Sequence, residues 1–264
     1  MPDGRQFLNR LWGGFSPADV PKTEANALIR LYHATDGPNW TDNTNWLTDP
    51  AVGNWYGITV AGGHVTGIDL NGNNLSGDAS NILDPLQGNL TSLHLYSNSL
   101  TGIDVSALIS LTDLRVQVNS IPVLDVSALV SLTILRCHFN SLNTLDVSAL
   151  ASLVGLRCDH NSISTLDVSG VADEISYIDC SGNGMAQAAV DTIIGDIWSR
   201  RDDWTDATPE LNVGGTNATP TGTYQDGYPL PLDELEMVHD LINDDAGAGI
   251  QTWASITWNG GSAP

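Results

Sequence analysis

A chain of 264 residues, 41% of them hydrophobic, can bury a sizeable core as one large domain or two ordinary ones, and general disorder is excluded. Nine basic residues against 31 acidic ones give a formal net charge of −22 at pH 7. That charge argues against nucleic acid, and against an anionic membrane, as partners of the whole molecule.

Lys22 is the only lysine, and an Asp-rich surface of this kind suits a saline habitat or plain solubility. The first ten residues, Met1 to Arg10, contain no apolar signal core. No run reaches transmembrane length, so membrane insertion is not expected. Residues 1–20 read as irregular, with turn signals at Gly13-Gly14 and Ser16-Pro17. Thr23 to Thr35 predicts a helix with Ala25, Leu28, Leu31 and Tyr32 as its apolar stripe, ended by Asp36-Gly37-Pro38. Trp40, Trp46 and Trp55 follow, then Gly57-Ile58-Thr59-Val60 and Gly63-His64-Val65. The first unit of a repeat stack has an uncovered face, and three tryptophans can shield it. Residues 1–64 are therefore expected to form an N-terminal cap.

From Val65 to Met185 one frame recurs: Val65-x-x-Ile68-x-Leu70-x-x-Asn73-x-Leu75. It restarts at Leu90, Leu111, Leu132, Leu153 and Ile175, in steps of 25, 21, 21, 21 and 22 residues. Six like units at such a period form a stack in which each buries its apolar edge on its neighbours. In the unit from Leu132, Leu135 and Cys137 lie two apart and point inward while Arg136 points out, as in a strand. The second half of the central units repeats Asp-Val-Ser-Ala-Leu, where Leu145 and Val147 form another inward pair. The column Asn73, Asn98, Asn119, Asn140, Asn161, Asn183 sits at a bend, and its amides are expected to satisfy turn backbone.

After Met185 the frame ends. Ala186 to Arg200 has helical spacing, with Ala189, Val190, Ile193, Ile194, Ile197 and Trp198 apolar. Leu211 to Gly215 reads as a strand, Thr216 to Pro231 as a long connection, Leu232 to Asn243 as a second helix and Trp253 to Trp258 as a strand. Residues 186–264 are expected to be a C-terminal cap.

The repeated Leu-x-x-Leu-x-Cys-x-x-Asn-x-Leu-x-x-Leu-Asp-Val-Ser, clearest from Leu132 to Ser148, resembles leucine-rich repeats of a short bacterial or phage type. The order Asp36-Gly37-x-Asn39-Trp40, Trp46, Trp55-x-Gly57-Ile58, Gly63-x-Val65 resembles the cap that precedes plant-type leucine-rich repeats. That cap usually carries a cysteine pair, and here no cysteine precedes Cys137. The first unit, with Asn73-Asn74-Leu75-Ser76-Gly77, also resembles the plant type. The tail resembles the caps of bacterial and phage-encoded surface proteins. The resemblance implies an α/β solenoid: a right-handed leucine-rich-repeat coil with parallel strands, a helical N-terminal cap and a strand–helix C-terminal cap. It implies a strand-lined recognition face and no enzyme.

The outward positions of the strands give the candidate site. The central column is Asp69, His94, Arg115, Arg136, Arg157, Asp179, and the next is Asn71, Tyr96, Gln117, His138, Asp159, Ser181. Val118, Phe139 and His160 lie beside them, with Asp113, Ile134 and Tyr177 on the other flank. Three of eight arginines in one column suggest a site for an anion or a carboxylate-bearing partner, because guanidinium groups are planar donor forks. Tyr96, Phe139 and Tyr177 can stack on a sugar or pack a peptide. The competing reading is local neutralisation by Asp113, Asp159 and Asp179.

Asp104, Asp125, Asp146 and Asp167 form another column, read as turn acceptors or solvated acids, with bound calcium as a weaker alternative. Cys137, Cys158 and Cys180 share one inward column and read as small buried hydrophobes, without the convergence a metal needs. His138 and Asp159 can stand within general-base distance, yet no nucleophile accompanies them. The expected function is a non-catalytic recognition module binding a protein or glycan, extracellular, cell-surface or virion-associated, needing no cofactor. Its alternatives are a structural part of a bacterial surface or phage virion assembly, and a calcium-dependent adhesion domain. The oligomeric state is left open.

Overall fold

The computed structural model describes residues 19–172, 175–198 and 210–214, and the short strands Thr223–Tyr224, Leu232–Asp233, Ser255–Trp258 and Gly261–Ser262. Helix α1, Lys22–Ala34, buries Ala25, Leu28, Leu31 and Tyr32 on the predicted stripe. At its end the Thr35 hydroxyl and amide both donate to the Leu31 carbonyl, at 2.7 and 3.0 Å. Asp36 then turns left-handed at φ 60° and stops the helix. The buried Glu24 carboxylate accepts from the Val65 amide at 2.8 Å and pairs with His64 Nδ1 at 2.6 Å, tying the cap to the first rung.

The three tryptophans are buried, and Trp46 stacks on Tyr32 at 5.7 Å while Trp40 and Trp55 pack against it at 4.8 and 4.9 Å. Their indole N–H groups donate to the carbonyls of Thr35, Tyr56 and Asp49, so the apolar shield leaves no donor unpaired. Cohesion here comes from aromatic packing, in a cap without cysteine. Strands β1, Ile58–Ala61, and β2, His64–Asp69, form an antiparallel hairpin. Gly62 and Gly63 supply its tight turn at φ 61° and 81°.

Next come β3 (Ser76–Ala79), β4 (Ser92–His94), β5 (Ser99–Ile103), β6 (Asp113–Arg115), β7 (Ile134–Arg136), β8 (Gly155–Arg157), β9 (Tyr177–Asp179) and β10 (Glu210–Asn212). The segments Thr223–Tyr224, Leu232–Asp233, Ser255–Trp258 and Gly261–Ser262 are β11 to β14. One sheet runs β1-β2-β4-β6-β7-β8-β9-β10-β13-β14, parallel from β2 to β13, in a right-handed solenoid. Leu114, Leu135, Leu156 and Ile178 pair rung to rung and face inward, and Arg115, Arg136 and Arg157 pair in the outward column. Strands β3 and β5 form a second parallel pair beside the first units, which the repeat frame does not predict.

The Asn column is structural. Asn140 Oδ1 accepts from the Ile121 amide one rung back, while Nδ2 donates to the carbonyls of Val116 and Cys137, all at 3.0 Å. Asn98, Asn119, Asn161 and Asn183 repeat this arrangement, and Asn73 makes it with Asp42 of the cap. From Asn98 to Asn183 each amide therefore closes its own bend and staples it to the preceding unit, while Asn73 staples the first bend to the cap.

On the far side of the coil, Asp104, Asp125, Asp146 and Asp167 each accept from the amide and hydroxyl of the serine two residues on. These are turn acceptors. Among the described residues no three His, Cys, Asp or Glu side chains gather as a metal cluster. The three cysteines form no disulfide and are fully buried, and burial raises their thiol pKa, that of Cys180 to about 12.

At the C-terminal end, α2 (Gln187–Trp198) buries Val190, Ile193, Ile194 and Ile197. Strand β10 continues the sheet beside β9, and β13 lies beside β10. The helix expected over Leu232 to Asn243 lies outside the described residues except for its first two, which form β12 antiparallel to β11 instead. No described helix is long and apolar enough to cross a membrane.

Candidate ligand-binding face

The pleat of three-residue strands sends every second side chain outward, and the 21-residue step of the central units stacks these side chains into columns. The central column is not uniform. Asp113 clamps Arg115 in a fork: Nε donates to Oδ1 at 2.9 Å and Nη2 to Oδ2 at 2.8 Å. The clamp raises the Arg115 pKa further. His94 Nε2 approaches the same carboxylate at 3.1 Å. One rung beyond Arg136, Arg157 Nε donates to Asp159 at 3.2 Å, with Asp179 3.7 Å away. The neutralisation foreseen in the sequence is thus real at two rungs.

Arg136 differs. Its flanks on the outward face are Ile134 and His138, with a carboxylate on neither side. Among the described residues it has no ion pair and no hydrogen bond through its side chain, and it is exposed. Beside it lies a concavity of about 400 Å³ bounded by Ile134, Arg136, Val154, Gly155, Arg157, Ser176 and Tyr177. Gly155 creates it: glycine stands in register between Ile134 and Tyr177, and a Cβ there would meet open space. The Tyr177 hydroxyl donates to Asp179 at 3.0 Å, which fixes the ring as one wall.

The second column is recessed. Gln117 is 8% exposed, His138 9% and Asp159 1%. Asp159 serves Arg157 and pairs with His160 Nδ1 at 2.9 Å, and His138 Nδ1 does not bond to it. His138 Nδ1 and Gln117 Oε1 are buried and have no hydrogen-bond partner. Burial is the main cause that lowers the His138 pKa, with Arg157 and Arg136 acting the same way against Asp159 and Asp179.

The third column carries backbone strain. Gly72, Ser97, Val118, Phe139, His160 and Gly182 are all left-handed, at φ 51° to 67°. Glycine takes this conformation freely, whereas a β-branched valine and a bulky phenylalanine are outliers there. Both side chains are about half exposed, and Phe139 stacks on His160 at 4.2 Å. Tyr96 and Tyr177 are partly exposed on the same face. On the opposite flank, Thr91, Thr112 and Thr133 donate their hydroxyls to the carbonyl one rung back, at 3.1, 3.1 and 2.8 Å. Sequence reasoning passed over this ladder, although its 21-residue spacing is visible. It passed over Gly155 too, where the signal is a missing side chain.

A family model for the Leucine Rich Repeat matches residues 89–111. Comparison with curated proteins finds no match. Among solved structures, a plant ice-binding protein is 20% identical with a TM-score of 0.55, over 76% of this chain and 65% of that one. The fold is that of leucine-rich repeats. This repeat fold also relates the chain to the ectodomain of the receptor kinase SOBIR1 from Arabidopsis thaliana, at 19% identity, TM-score 0.50, and coverage of 62% and 95%. A functional domain of InlJ from Listeria monocytogenes matches at 21% identity and a TM-score of 0.29, over 60% of this chain and 45% of that one. The chain spans only 65% of the length of the ice-binding protein. The two structures that superpose with TM-scores of 0.50 and above are plant proteins, so what is shown is the leucine-rich-repeat fold and not a bacterial or phage style of it.

Proposed function

We propose that the chain is a non-catalytic recognition module that binds a protein or glycan through the outward face of its strands. The observation that carries this reading is Arg136, an exposed guanidinium left unclamped between two clamped arginines and beside an open concavity. A protein of net charge −22 has carboxylates to spare, and a local clamp is what the neighbouring rungs use. An arginine kept open on the sheet has its planar donor fork available to a ligand's acceptor. The strained Val118 and Phe139, with half-exposed side chains, add apolar contact beside it. The thiols face inward and are held protonated by burial, so they are not available as nucleophiles for His138 to activate.

The capped, short-repeat organisation accords with an extracellular or surface setting, of bacterial or phage type. Within it residues 1–64 serve as the first cap, 65–185 as the recognition coil and 186–264 as the closing cap. A second reading, a structural part of a surface assembly, is favoured by the exposed Ile109, Val123 and Val130 on the other side of the coil. Solution mass separates the two, since a stable homo-oligomer supports assembly. The recognition reading is tested by glycan-array and pull-down signals of wild type against an Arg115/Arg136/Arg157→Ser variant with unchanged circular dichroism. Lost signals support the face, and equal signals reject it.

A further inference from the structure

The open arginine and the two orphaned buried atoms lie side by side on one surface. Gln117 Oε1 and His138 Nδ1 occupy adjacent rungs, about 4.8 Å apart along the ladder, and do not bond to one another. The register continues past the strands here, since the Ser97 amide bonds the Gln117 carbonyl and the Val118 amide bonds that of His138. Buried polar atoms without partners are uncommon in native structures, and these two belong to side chains of an outward column that are covered rather than open, so a ligand's polar group gains both bonds once that thin cover shifts. Gln117 Oε1 only accepts, while a neutral histidine ring nitrogen donates or accepts according to tautomer. One hydroxyl can donate to the first and accept from the second. An extended peptide sends its N–H and C=O in opposite directions and serves one of them at a time.

We propose that Arg136, with the Gln117–His138 pair on one side and the Gly155 concavity on the other, forms a subsite for a short glycan bearing one carboxylate. The proposal rests on the recognition reading above and names the ligand class for that same face. Its extent follows from the register. Ile134, level with Gly155, and His138 are four residues apart along one strand path, about 13 Å, which exceeds a single sugar ring. One ring sits over Gly155 against Tyr177, its acid on the Arg136 fork, and the next presents a hydroxyl to Gln117 and His138. Charge limits the ligand to one acid. Asp113, Asp159 and Asp179 flank the site in a molecule of net charge −22, so a polyanion is repelled while a single carboxylate meets the one open guanidinium.

The test titrates three probes calorimetrically: a uronic acid–hexose disaccharide, the matching neutral disaccharide, and a hexapeptide with one glutamate. Wild type, Arg136→Gln and Gln117→Met are compared, and each variant's melting temperature is recorded. The acidic disaccharide is expected to bind about tenfold more tightly than the neutral one, with Arg136→Gln erasing the preference. Gln117→Met is expected to weaken both disaccharides while raising the melting temperature, because it replaces an orphaned buried acceptor by an isosteric apolar group. Absence of sugar binding at millimolar concentration, or tighter binding of the peptide, overturns the proposal. So does a Gln117→Met variant that melts lower and binds sugar unchanged, which assigns Gln117 to the fold. If the triple arginine variant loses its pull-down partner while Gln117→Met retains it, the recognition face stands and the glycan subsite falls.

Discussion

Ile134 is the register partner of Asp113, and this exchange of a carboxylate for an alkyl group leaves Arg136 without the clamp that holds Arg115. The two rungs also differ at Gln117 and His138 on the other flank, but neither of those is a carboxylate, so Asp113 against Ile134 is the difference that sets the clamp. Restoring the carboxylate should therefore close the site from within. In an Ile134→Asp variant, partner binding is expected to fall to the level of Arg136→Gln. Stability should change by less than about 1 kcal/mol, since an exposed pair contributes little. Binding and denaturant unfolding of the two variants check this.

The Asn ladder predicts where the coil is most easily damaged. Asn140→Ala removes one acceptor and two donors that join two rungs inside the bend. The Ile121 amide and the carbonyls of Val116 and Cys137 lose this partner. The expected cost is about 1–3 kcal/mol in urea unfolding, without change in the binding residues themselves.

The cysteine column predicts chemical silence. Cys137, Cys158 and Cys180 are fully buried, and desolvation raises all three thiols, with Cys180 reaching about 12. At pH 8 a thiol reagent should label none of them in the folded protein over the time in which it labels all three in denaturant. Rapid labelling of the native chain would show that the column opens.

His138 predicts a specific acid sensitivity. Burial lowers its folded pKa, with Arg157 and Arg136 acting in the same direction and Asp159 and Asp179 opposing. A lowered pKa means that the unfolded chain binds the proton more readily. The stability tied to neutral His138 is thus complete above the unfolded histidine value of about 6.5 and is lost as pH falls below it. The loss of melting temperature from pH 7.5 to 5.5 should be smaller in His138→Leu than in wild type.

The coil was legible in the sequence because its signals are local and repeated. Leu135, Arg136 and Cys137 alternate inward and outward wherever the strand is placed, and the 21-residue step stacks them without long-range knowledge. Asn140 was legible for the same reason: an amide between inward apolar residues at a bend has few other uses. The partners of the site were not legible. Asp159 engages Arg157 and His160 rather than His138, and His160 is left-handed at φ 51°, a backbone choice that composition does not announce. The burial of Gln117 and His138 on an outward column depends on how neighbouring rungs cover them. Gly155 leaves a concavity by having no side chain, which no residue-by-residue search for chemistry finds.

The account depends most on the outward strand face being where a partner is held, with Arg136 as its open donor. Arginine side-chain Nε–H resonances, followed by NMR while a pulled-down partner is added, report this directly. The Arg136 signal should shift most, Arg115 should move little within its Asp113 clamp, and Arg30 on the cap should stay fixed. Shifts confined to Arg30, or to the Ser127 and Ser148 amides on the far side of the coil, with Arg136 unmoved, would contradict it.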